Sequence, residues 1–102
     1  MYVVMNRIDV EPGKEAGFEA GFGGSMKSTL GGVPGLLRST LLKPARDGLP
    51  YVSTMEFTDK DAFMAWMRSD SFKASHSGPA EEQPAGNAVE LYESLIDLAP
   101  NG

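Results

Sequence analysis

With 102 residues, 41% hydrophobic and 23% charged, the chain has room for one domain over 1–102 and one modest core. A net charge of −5 argues against a nucleic-acid partner, which calls for a basic patch, and no apolar run approaches the length of a membrane span. The lack of cysteine excludes disulfides and thiolate metal sites, and MYVVMNRIDV has no basic stretch leading into an apolar one, so no signal peptide and a cytoplasmic location are expected.

YVVMNRIDV (2–10) is rich in β-formers and predicts a strand. Alternation puts Tyr2, Val4, Asn6, Ile8 and Val10 on one face, apolar except at Asn6, and Val3, Met5, Arg7 and Asp9 on the other. After a Pro12-Gly13 turn, Phe18, Phe22, Met26 and Leu30 recur every fourth residue and predict a helix over 14–30. Gly21, Gly23 and Gly24 weaken it by roughly 1 kcal/mol each against alanine and point to close packing or a mobile helix. GGVPG (31–35) ends it. Leu36–Leu42 and Tyr51–Phe57 read as an antiparallel hairpin around a polar turn holding Pro44, Asp47 and Gly48. Thr58 is the expected cap of a second helix, with Asp61 completing a capping box and Phe63, Trp66 and Met67 as its apolar stripe. SGPAEEQPAGNA (77–88) predicts a long loop of the kind that often serves as a lid or binding loop, and 89–98 a last strand.

The order βαββαβ predicts an α+β, ferredoxin-like fold with a four-stranded antiparallel sheet. Two helices cover one face of such a sheet, yet the other still carries Val3 and Met5. A second sheet is the economical cover, so a homodimer is expected, to be checked by light scattering at micromolar concentration.

Three residues stand out for chemistry. His76, the only histidine, follows Ser69 and Asp70, both good N-caps; a break there starts a new short helix in which Phe72 and His76 share a face. Such a kink aims Trp66 and His76 into one space. Asn6, a polar group in an apolar row, requires a hydrogen-bond partner. Asn6, Trp66 and His76 thus meet, on this reading, in a mostly apolar pocket with a few placed polar groups, the usual form of a small-molecule site. Plainer readings stand beside these: His76 as a partner for a helix C-terminus, Trp66 as core, Asn6 bonded to backbone at a bulge or edge, Lys73 as a solvated charge. No GxSxG elbow, P-loop or zinc-ligand spacing is present.

AFMAWMRSDSFKASH (62–76) resembles the C-terminal helical segment of the IsdG-type haem-degrading monooxygenases, within the antibiotic biosynthesis monooxygenase (ABM) superfamily. MNRIDV (5–10) resembles the family's first strand with its asparagine, and VPGLL (33–37) its turn into the second strand. The resemblance implies a dimeric α+β barrel with one haem site per subunit, haem serving as substrate and cofactor with O2 and an external electron donor, such as a reductase or small reductant. It implies that His76 is the axial iron ligand, that Trp66 presses on the macrocycle, and that Asn6 hydrogen-bonds on the distal side. Phe22, Phe72 and Lys73 would complete the haem-binding set. Where family members often carry arginines around the first-helix phenylalanine, this chain has Gly21 and Ser25, leaving Lys73, Lys27, Arg7 and Arg68 as cationic candidates for the propionates. Two other functions fit the fold: cofactor-independent oxidation of an aromatic polyketide or quinol, with His76 as base, and a non-catalytic, haem-binding dimer.

Overall fold

A computed structural model describes residues 1–70, 72 and 86–100. In chain order it holds β1 (Tyr2–Asp9), α1 (Glu15–Thr29), β2 (Leu36–Leu42), β3 (Tyr51–Phe57), α2 (Lys60–Met67) and β4 (Gly86–Glu93). The four strands form one open antiparallel sheet in the order β2-β3-β1-β4. This is the expected ferredoxin-like α+β architecture. No helix among the described residues is long and apolar enough to cross a membrane.

Register decides which side chains share a face. Tyr2 lies opposite Phe57, Val4 opposite Met55, Asn6 opposite Ser53 and Ile8 opposite Tyr51. That face takes both helices: Phe63 and Trp66 of α2 pack with Tyr2, Val4 and Phe57, while Phe18 of α1 packs with Ile8 and Tyr51. Six of the eight buried hydrophobic residues among those described are aromatic: Tyr2, Phe18, Tyr51, Phe57, Phe63 and Trp66. Their rings meet edge to face, Phe18–Tyr51 at 4.9 Å and Phe57–Phe63 at 5.6 Å, an arrangement worth about 0.5–1.5 kcal/mol per pair beyond area burial. The opposite face carries Val3, Met5 and Val52 half-buried and Leu42 and Tyr92 exposed.

The turn into β2 is built on glycine. Leu36 N–H donates to Val33 O at 3.2 Å, and Gly35 takes φ +78°. Proline followed by a residue at positive φ is the type II pattern. Gly35 O in turn accepts from Thr58 N–H at 2.9 Å, which joins this turn to the start of α2. Because the Thr58 amide is used there, the cap of α2 is Asp59 instead of Thr58. Its extended backbone lets Oδ1 accept from Ala62 N–H at 2.8 Å, and Ala62, with no acidic side chain, occupies the third position, so no capping box forms. Gly23 and Gly24 of α1 are not sites of close approach among the described residues: a Cβ added at either meets nothing within 4 Å.

The last strand differs most from expectation. It starts at Gly86 and stops at Glu93, because β1 offers partners only from Asp9 (opposite Gly86) to Tyr2 (opposite Glu93). Ser94 N–H takes the final acceptor, Met1 O, at 2.8 Å. Beyond it Leu95, Ile96 and Leu98 run outside the sheet, 95%, 78% and 81% exposed.

Candidate functional site

Asn6 sits in the middle of the helix-covered face, between Val4 and Ile8. Those two neighbours belong to different aromatic clusters, so the amide marks the seam between them. Its Oδ1 is buried and has no hydrogen-bond partner among the described residues. An orphaned buried acceptor costs about 1–3 kcal/mol, a penalty that a ligand or water donating at this point would relieve. The plainer reading, pairing with backbone at a bulge, does not apply, since β1 keeps an unbroken register with β3 and β4 through Asn6.

On one side of the seam stands Trp66, 7% exposed, with ring centroids 5.9 Å from Phe57 and 6.4 Å from Phe63. Phe72 meets it edge to face at 5.0 Å. The indole is therefore core and cleft lining together. It lines a largely apolar cleft of about 290 Å³ with Thr29, Val33, Pro34, Ala65 and Ser69. Phe22 lies on the other side of Asn6, packed on the Ile8 cluster, with its ring 5.2 Å from Phe18. The structure thus gathers Trp66 with Phe72 and sets Phe22 apart from them.

Ser69 makes the break after α2. Its N–H donates to Trp66 O at 2.9 Å and its hydroxyl donates to the same carbonyl at 2.5 Å. The same Oγ accepts from Phe72 N–H at 3.2 Å, and helical backbone resumes at Asp70. One side chain closes a helix and caps the next turn. Ser69→Ala is expected to cost about 1 kcal/mol and to lower the melting temperature by a few degrees, with Ser69→Asp recovering most of it. Equal melting of all three proteins would show that the break needs no cap. Lys73, His76 and residues 77–85 of the expected loop lie outside the described residues; the remainder, 86–88, is strand.

The cationic candidates divide. Register places Arg7 with Val52 and Ala88 on the open face, away from Asn6, where Nε donates to Glu90 Oε1 at 2.7 Å. That bond raises the Arg7 pKa and holds the Glu90 carboxyl below its ordinary value. Lys27 and Arg68 are exposed. A polar cluster that sequence reasoning did not find joins α1 to the sheet: Tyr51 Oη donates to Glu19 Oε2 at 2.5 Å, and Lys43 Nζ lies 3.3 Å from the same oxygen. The carboxylate pushes the Tyr51 phenol up to about 12, and the two donors lower the Glu19 pKa. No local spacing links residues 32 positions apart, so no sequence signal announces this contact. Among the described residues no group of three or more His, Cys, Asp or Glu side chains is placed to hold a metal ion.

An aromatic wall with one unsatisfied amide suits a flat, largely apolar ligand. The sequence matches the family model for antibiotic biosynthesis monooxygenase over residues 1–78. No curated protein matches it significantly in sequence. Among solved structures, it is similar to the haem degrader MhuD from Mycobacterium tuberculosis with two haems bound in its active site, with TM-score 0.82 and 23% identity over 97% of this chain and all of that one. A haem-free form of the same mycobacterial protein gives 0.72 and 26%, covering 96% and 94% of the two chains. SnoaB from Streptomyces nogalater, a cofactor-independent oxygenase, gives 0.78 and 25%, covering 95% of each.

Proposed function

The chain belongs to the antibiotic biosynthesis monooxygenase family, and from that premise we propose that it degrades haem oxidatively, taking it as substrate and cofactor and releasing iron from the opened ring. One observation carries the reading: an orphaned amide oxygen at Asn6, at the seam between two aromatic clusters, on the same helix-covered face as Trp66. Aromatic walls around one polar group suit a flat apolar molecule with a few polar groups. Haem supplies the iron at which O2 is activated, and an external donor, a reductase or a small reductant, supplies the electrons.

The protein's part is to bind and orient. His76 would hold the haem iron through an imidazole nitrogen. Trp66, braced by Phe57, Phe63 and Phe72, is a rigid surface against the macrocycle. The Asn6 amide carries a donor and an acceptor on one pivot and would hydrogen-bond to polar atoms of the bound group. Phe22 closes the opposite side of the seam, and Lys73 is the cation for a propionate. A homodimer with sheet packed on sheet covers the apolar part of the open face, and the Arg7–Glu90 pair, with Tyr92 donating to Glu90 at 3.0 Å, gives it polar register.

Titrating the apoprotein with haemin should give a saturable Soret shift that His76→Ala loses. Ascorbate under air should then bleach the band in the wild type. Asn6→Ala should keep the shift and bleach at least about tenfold more slowly, as removal of an orienting hydrogen bond in a dry site costs rate more than binding. A wild-type protein with no saturable shift defeats the proposal. The likeness to SnoaB favours a second reading, cofactor-independent oxidation of a phenolic substrate with His76 as base. Oxygen uptake with a quinol and no haem would select it.

A further inference from the structure

Helix α1 supplies little of its own to fix it on the sheet. Phe18 is its one buried residue, Lys14 gives its N-terminus no side-chain cap, and glycine stands at 17, 21, 23 and 24. Yet Phe22, on this helix, must stand at a fixed place beside Asn6 to close the far side of the seam. The polar cluster at the end of that seam answers this requirement. Glu19 lies one residue after Phe18 and three before Phe22, where helical side chains are neighbours. Its Oε2 accepts from Tyr51 Oη at 2.5 Å, the length of a charge-assisted bond, and lies 3.3 Å from Lys43 Nζ, just after β2. Tyr51, 4% exposed, is paired with Ile8, two residues along β1 from Asn6. The same ring meets Phe18 edge to face at 4.9 Å, and Phe18 meets Phe22 at 5.2 Å. One sheet residue thus grips α1 twice, by its ring and by its hydroxyl.

We propose that Glu19 and Tyr51 are positioning residues: their hydrogen bond sets the rotation and height of α1 on the sheet and so holds the Phe22 ring as the far wall of the Asn6 seam. The two grips differ in kind. Ring contact is non-directional and lets a helix slide or turn on the surface beneath it. A hydrogen bond has a preferred length and angle, so it adds register. Lys43, with its side chain 71% exposed, contributes little of its own. The role rests on the haem reading for what Phe22 touches; what holds Phe22 is independent of it.

Three variants of the full chain test it. Tyr51→Phe keeps the ring and removes only the hydroxyl, Glu19→Ala removes the acceptor, and Glu19→Gln keeps an acceptor without the charge. In the haem-free protein the aromatic NMR resonances of Phe22 should move in the first two and stay near their wild-type positions in Glu19→Gln, with the circular dichroism spectrum unchanged in all three. In haemin titrations Tyr51→Phe and Glu19→Ala should each raise Kd at least about fivefold, and Glu19→Gln less than about twofold. In a Phe22→Ala background Tyr51→Phe should add less than about twofold, because the ring whose place it sets is gone. A full, additive loss in that background would make the bond a general support of the fold and overturn the role. Phe22 resonances indifferent to both Tyr51→Phe and Glu19→Ala would overturn it without haem. A wild type with no saturable haemin shift overturns the haem reading, and the Phe22 resonances then decide alone whether the bond places the ring.

Discussion

Trp66→Ala is expected to lower the free energy of unfolding by about 3–5 kcal/mol, the usual cost of emptying a buried indole site. The side chain is 7% exposed and wedged against Phe57, Phe63 and Phe72. Domains of this size are stable by about 5–15 kcal/mol in total, so the variant should be marginal at room temperature. Trp66→Phe should recover at least half of the loss, because it keeps the ring contacts with Phe57 and Phe63. The pair of variants separates the two duties of the residue. If the indole also faces haem, Trp66→Phe will be folded and yet alter the Soret band and slow its bleaching. Urea denaturation of the three proteins measures the first duty and haemin titration the second. A loss under about 1 kcal/mol for alanine would place the indole outside the core.

Gly35→Ala is the second large effect, expected at about 2–4 kcal/mol. Two costs add. Alanine at φ +78° is strained, and its Cβ would stand 2.5 Å from Ala62 Cβ, a contact that only a backbone shift relieves. Ala62 is held by the Asp59 cap, so the shift must move the first turn of α2 and with it the Phe63 and Trp66 side chains. Gly32→Ala is the matched control. Its φ is also +78°, but an added Cβ meets nothing within 4 Å, so it should lose only about 1 kcal/mol of strain. Melting temperatures of the two variants compare the costs directly; equal losses would mean that the approach to Ala62 carries no energy.

What the sequence discloses here follows from which forces are local. Leu36–Leu42 and Tyr51–Phe57 are read to the residue because alternation and a Pro/Asp/Gly turn bound them at both ends. The α1 ladder and the break at Ser69 are equally legible, since caps and i, i+4 contacts span one turn. The cap of α2 is misplaced by one residue because Thr58 and Asp59 both suit it locally; the choice falls to a distant acceptor, Gly35 O. β4 is misplaced for a similar reason. Leu95, Ile96 and Leu98 continue a strand-like pattern, but β1 has run out of backbone opposite them. Asn6 can be singled out as a polar interruption in an apolar row. That its oxygen is left unpaired between two separate clusters, and that Arg7 points to the other face into Glu90, depend on the register of three strands.

The split core has a dynamic consequence. Two aromatic packets that meet only at a polar seam need not open together; each can breathe as its own cooperative unit. Native-state hydrogen exchange of the empty protein should then show two classes of amide, one slowest around Tyr2 and Phe57, the other around Ile8 and Tyr51. A guest spanning Asn6 would fuse them, and protection would become uniform across the whole face.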